Sequence, residues 1–118
     1  MINLLLNGCN GKMGQVISDM CRNSSDLKIV AGIDLTPDKI NNYYNVYGNI
    51  EQVSEEADLL LDFSHPSSLP SITCYCVNKG IGLIIASTGL SSDDYELLKQ
   101  TSTRIPLFQS ANMSLGVK

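Results

Sequence analysis

Apolar residues along this chain fall into short runs separated by glycine, proline and polar clusters, and the runs alternate between two spacings. Ile2 to Leu6 is a mostly apolar run of strand length, and after a glycine-rich turn Met13, Val16, Ile17, Met20 and Cys21 recur at helical spacing. Leu27, Ile29, Val30, Ala31 and Ile33 predict a second strand that ends at Asp34. The segment from Ile40 to Gly48 has no clear period and reads as a surface loop, with a short edge strand near Val46 and Tyr47. Its close-set tyrosines lack basic neighbours and are assigned to loop packing. Ile50 to Glu56 predicts a short helix carrying Glu51, Glu55 and Glu56. Asp58 to Phe63 is a continuous apolar run, the pattern of a strand buried on both faces of a parallel sheet. Ser64, His65 and Pro66 interrupt it, and Ser67 or Ser68 caps a helix from Leu69 to Lys79 that Gly80 closes. Ile81 to Ala86 is the next strand. Ser91 or Ser92 then opens an acid-rich helix through Thr103, and Ile105 to Gln109 is the last strand.

This order, β-α-β-loop-α-β-α-β-α-β, predicts an α/β fold: a doubly wound, mostly parallel sheet with helices on both faces and right-handed crossovers. Ligands of such sheets bind beyond the carboxyl ends of the strands. The turn after the first strand carries Gly8, Gly11 and Gly14. Gly8 allows the turn, Gly11 admits a pyrophosphate to the backbone, and Gly14 permits close packing of the following helix. That helix would present free N–H groups and its positive end to the phosphates. Asp34, twenty residues after Gly14, is placed either to accept hydrogen bonds from an adenosine ribose or to form a turn. Together these features give a Rossmann-type dinucleotide domain.

Composition narrows the function further. The 118 residues suit one domain, 43% hydrophobic and 17% charged. Eight basic against twelve acidic residues give a net charge of −4, and Lys and Arg do not cluster, which argues against nucleic acid or an anionic membrane surface as partner. No apolar run approaches the ~20 residues of a membrane span, and nothing resembles a signal peptide, so a cytoplasmic protein is expected. Cys9, Cys21, Cys74 and Cys76 lack zinc-binding spacing and are expected to be reduced, mostly buried thiols, with no metal site.

Four segments, Gly8-Cys9-Asn10-Gly11-Lys12-Met13-Gly14, Asp62-Phe63-Ser64-His65-Pro66, Ser87-Thr88-Gly89-Leu90-Ser91 and Ser110-Ala111-Asn112-Met113-Ser114-Leu115-Gly116-Val117, resemble dihydrodipicolinate reductase in order and over the whole chain. The resemblance implies that NADH or NADPH reduces a cyclic dihydropyridine dicarboxylate on the route to diaminopimelate and lysine. It implies that Gly8, Cys9, Asn10, Gly11, Lys12 and Met13 hold the pyrophosphate, that Asp34 meets the adenosine ribose, that Phe63, Ala86, Ser87 and Thr88 lie toward the nicotinamide, and that Ser110, Ala111, Asn112 and Met113 complete that pocket. Lys12 and Lys39 could partly neutralise a 2′-phosphate, so either cofactor is expected, with Asp34 favouring NADH. The chain departs from the family at Ala86 and Ser87, where Gly and Thr are usual, and at Lys118, where Asn is usual.

Members of that family are much longer, and their second domain carries the Ser-His-His segment and lysine that engage the dicarboxylate and supply the acid. The expectation is therefore that residues 1–118 are the cofactor-binding N-terminal part of a homo-oligomeric reductase, without catalytic residues of their own. His65, the single histidine, is expected to be a loop residue near a helix start. Alone, the chain should bind cofactor without turnover, and an exposed sheet edge should favour a non-native dimer. Two other readings stay open: a stand-alone nucleotide-sensing module, or the cofactor domain of another amino-acid-pathway dehydrogenase.

Overall fold

Leucines at 4, 5 and 6 of β1 (Ile2–Asn7) are all buried, which requires packing on both faces of the strand. The computed structural model, which describes residues 1–109, supplies both faces. After β1 come α1 (Lys12–Arg22), β2 (Leu27–Ile33), β3 (Asn45–Tyr47), β4 (Leu59–Asp62), α2 (Leu69–Lys79), β5 (Gly82–Ile85), α3 (Ser92–Thr101) and β6 (Leu107–Gln109). Among the described residues the strands form one sheet in the order β3-β2-β1-β4-β5-β6, every pair parallel. The order reverses at β1 and β4, so the carboxyl ends of these two strands bound the crevice of a Rossmann-type fold.

Alternate residues feed two cores. Leu4, Leu6 and Ile29 pack with Cys9 and Cys21 on the α1 face, while Leu5, Leu60, Leu83 and Ile85 pack with Leu69, Ile72, Cys76 and Leu98 of α2 and α3 on the other. A bulge in β2 adjusts the phase: Leu4 pairs with Ile29 but Leu5 with Ala31, leaving Val30 as an extra residue. Ile29 therefore joins the α1 core, and Ala31 and Ile33 join the other.

Three expectations are corrected. The predicted helix over residues 50–56 is a single 3₁₀ turn, Ile50–Gln52. Ile50 and Val53 are buried, but Glu55 turns toward β3, where its carboxylate accepts from Asn45 Nδ2 and Tyr47 Oη at 2.9 and 2.8 Å. In α1 three of the large apolar residues lie off the packing face: Met13, Val16 and Met20 are exposed, whereas Ile17 packs against the core beside the buried Gly14, Ser18 and Cys21. Small residues let α1 sit close to the sheet, which leaves Met13, Val16 and Met20 outside the contact. Finally, α3 stops at Thr101 rather than Thr103.

Elsewhere the punctuation read from sequence governs the elements. Gly80 closes α2 with φ +68°, and Ser91 opens α3 with a reciprocal capping box to Asp94. No helix among the described residues is long and apolar enough to cross a membrane.

Candidate functional site

Four strand ends, those of β1, β2, β4 and β5, meet at one edge of the sheet. The turn leaving β1 is pinned by Gly8 N–H and Cys9 N–H, which both donate to the Ile33 carbonyl at 2.7 and 3.3 Å. Gly8 has φ +80°, and a Cβ there would lie 2.9 Å from the Phe63 carbonyl carbon, so only glycine satisfies both the conformation and the space. A Cβ on Gly14 would collide with the carbonyls of Gly8 and Cys9, so the helix packs directly on the turn. Gly11 differs: as the residue before α1 it has no side chain to cap the helix, and a Cβ on it would meet only the Gly8 oxygen, at 3.4 Å. The N–H groups of Lys12, Met13 and Gly14 have no acceptor within the helix, and the first turn holds no acid. The result is an open helix end suited to an anion.

Behind the turn lies a buried polar network. Asn7 Nδ2 donates to Asp62 Oδ1 at 3.1 Å and to Ser64 Oγ at 3.0 Å. Ser64 in turn donates to Asp62 Oδ1 through its N–H at 3.0 Å and its hydroxyl at 2.5 Å, and its hydroxyl lies 2.7 Å from Ser68 Oγ. Asp62 is wholly buried, and its Oδ2 has no hydrogen-bond partner among the described residues. Burial pushes its carboxyl above the ordinary range, against the hydrogen bonds from Ser64 and Asn7, which lower it.

Two pockets open on this edge. One, of about 320 Å³, lies between Asp34, Gly48, Asn49, Ser64, His65 and Ser71. The other, of about 430 Å³, is lined by Gly11, Lys12, Met13, Phe63, Ala86, Ser87 and Thr88. Gly8, Ser64 and His65 line both, so the pockets share a wall and together span the edge from β2 to β5. Ser87 Oγ is buried without a hydrogen-bond partner among the described residues.

The structure thus gathers Gly8, Gly11, Lys12, Met13, Phe63, Ala86, Ser87 and Thr88 at one pocket and brings Asp34 to its neighbour. Two residues expected here turn away. Cys9 is fully buried against Gly32 and Tyr44, and burial pushes its thiol up to about 11; only its backbone belongs to the turn. Asn10 likewise faces inward, 1% exposed. Ser110, Ala111, Asn112 and Met113 lie outside the described residues. Asp34 both forms a turn and lines a pocket, since its Oδ1 accepts from the N–H and hydroxyl of Thr36, each at 2.9 Å. His65 caps the 3₁₀ turn Pro66–Ser68, its Nδ1 accepting from Ser67 N–H at 3.1 Å, yet the same residue borders both pockets. Its position just after a strand's carboxyl end was the signal for that second placement. No group of three or more His, Cys, Asp or Glu among the described residues is arranged to hold a metal ion.

Comparison with known proteins agrees with this geometry. The sequence model for "Dihydrodipicolinate reductase, N-terminus" matches residues 2–113. The chain is 44% identical over 117 residues to the 4-hydroxy-tetrahydrodipicolinate reductase of Clostridium tetani, covering 99% of this chain and 46% of that protein. It therefore spans about half the length of that relative. Among solved structures, the dipicolinate-bound dihydrodipicolinate reductase of Paenisporosarcina sp. TG-14 superposes with a TM-score of 0.72 at 27% identity, over 87% of this chain and 42% of that one. The myo-inositol 2-dehydrogenase of Lactobacillus plantarum, 17% identical with a TM-score of 0.73 over 92% of this chain and 35% of that one, shares the fold. With its sequence matched from Ile2 to Met113, the chain belongs to the dihydrodipicolinate reductase family and corresponds to the N-terminal part of that enzyme.

Proposed function

We propose that this chain is the pyridine-dinucleotide-binding part of a reductase that acts on a cyclic dihydropyridine dicarboxylate in diaminopimelate and lysine synthesis. The observation that carries the reading is the open end of α1. Gly8 and Gly14 fit only as glycines, Gly11 faces open space, and three helix N–H groups point to where a pyrophosphate would lie. The flanking pockets suit the two halves of a dinucleotide. Asp34 would accept a ribose hydroxyl at one end, and the unpartnered Ser87 Oγ would meet the nicotinamide side at the other.

When bound, the nicotinamide supplies the hydride. This chain's residues anchor the phosphates, orient the ring and flank it with Phe63, Ala86 and Thr88. The dicarboxylate and the proton donor are assigned to the half of the enzyme beyond this chain, which would bind cofactor alone without turnover. Lys12 and Lys39 keep NADPH within reach of the site, while Asp34 favours NADH. Four free cysteines suit a reducing compartment, and the reading assigns the homo-oligomeric parent to the cytoplasm.

Calorimetric titration of the chain with NADH and NADPH tests the reading. Binding at micromolar strength, lost in Gly11→Asp with the melting curve unchanged, is expected. Absence of binding by a cooperatively melting wild type would overturn it.

A further inference from the structure

Asn10 belongs to the glycine turn by sequence, but it lines neither pocket and its side chain is buried in the opposite direction. There it holds the segment that continues from β2 at three points. Its backbone N–H donates to Asp34 Oδ2 at 3.0 Å, its Nδ2 donates to the Thr36 carbonyl at 2.9 Å, and its Oδ1 accepts from Asn42 Nδ2 at 2.8 Å. Asp34 is held from the far side as well, through the two bonds from Thr36 to Oδ1.

A carboxylate oxygen accepts about two hydrogen bonds. Oδ1 is therefore filled, and Oδ2 keeps one acceptor position. A neutral hydroxyl can donate to it. A phosphate cannot, and to make room for one the carboxylate would have to rotate, breaking its bonds to Asn10 and Thr36, or remain as a like charge beside it. Lys39, the one basic residue between Asp34 and Tyr44, is on the clamped segment.

Resting on the dinucleotide reading above, we propose that Asn10 is a positioning residue for nucleotide selectivity. By clamping Thr36 and Asn42 to the glycine turn it keeps the Asp34 carboxylate fixed toward the ribose, so the site disfavours a nucleotide that carries a 2′-phosphate relative to one that does not. Releasing the clamp frees Asp34 to turn away and lets Lys39 approach the phosphate.

The test is titration of the wild type, Asn10→Ala and Asn42→Ala with NADH and with NADPH, each beside a thermal melt. Asn42→Ala removes the clamp's bond from the loop, the one to Asn10 Oδ1, while leaving every residue of the glycine turn in place, so it carries the test alone should Asn10→Ala fail to fold. The wild type should bind NADH at least about tenfold more tightly than NADPH, and each folded variant should narrow that ratio by about tenfold, mainly through weaker NADH binding. An NADH-to-NADPH ratio unchanged in folded Asn42→Ala overturns the inference, as does a wild type without NADH preference. A folded wild type that binds neither nucleotide overturns the dinucleotide reading itself and the inference with it.

Discussion

Asn7 and Asp62, paired across β1 and β4, are joined by a 3.1 Å hydrogen bond from Nδ2 to Oδ1 beneath the shared wall of the two pockets. The pair sits where the strand order reverses, and one oxygen of the buried carboxyl has no partner among the described residues. Because burial raises the Asp62 carboxyl, the folded chain binds this proton more tightly than the unfolded chain does. Stability from this group is therefore greatest below the ordinary aspartate range of about 4 and falls as pH rises through the raised folded value. Asp62→Asn removes the titration. Its melting temperature relative to wild type should rise between pH 4 and pH 8, and a constant difference across that range would remove the buried charge from the account.

Gly14→Ala should cost about 1–3 kcal/mol of stability, because the new methyl group meets two backbone carbonyls of the turn rather than a side chain that can move. Denaturant unfolding measures this directly, and a loss below about 0.5 kcal/mol would contradict the packing described here.

Gly11→Asp is the contrasting substitution. The side chain has room, so unfolding should be near that of wild type, while a carboxylate at the helix N-terminus repels phosphate. Nucleotide affinity should fall by more than about tenfold in the same calorimetric cell.

Asp34→Ala removes the proposed acceptor for the ribose and three internal hydrogen bonds. NADH binding should weaken by about tenfold or more and NADPH binding by less, read as two dissociation constants. Equal losses would take the ribose contact away from Asp34.

The β6 side of the sheet offers a further check. β6 pairs only with β5 among the described residues, and Phe108 on it is 57% exposed. The isolated chain should self-associate in sedimentation, and Phe108→Lys should shift it toward monomer. A wild type that stays monomeric at high concentration would speak against an adhesive edge.

Local signals in the sequence located most elements. Helix α2 runs from Leu69 to Lys79 as its proline and glycine punctuation indicates, and Ser91 caps α3. What the sequence hid depends on contacts between distant residues. The helix predicted over residues 50–56 fails because Glu55 finds partners on β3. The apolar spacing of α1 holds at Ile17 and Cys21 but misleads at Met13, Val16 and Met20, because Gly14 and Ser18 share the contact face and a close approach favours small residues. The glycine turn was legible because its requirements are local. The inward direction of Asn10 was not, since its partners Asp34, Thr36 and Asn42 are 24 to 32 residues away.

The bulge at Val30 bears on how Asp34 comes to face the turn. Upstream of it the odd-numbered Leu27 and Ile29 look toward α1, whereas downstream the even-numbered Gly32 lies against Cys9 and the even-numbered Asp34 reaches Asn10. One extra residue has exchanged odd for even. The interval between the last glycine of the turn and the acid at the end of β2 is therefore a parity condition as well as a length. Removing a single residue after Ala31, with the pairing of Leu5 and Ala31 kept, would deliver the carboxylate to the wrong side of the sheet, whereas removing one between Leu27 and Ala31 would only erase the bulge.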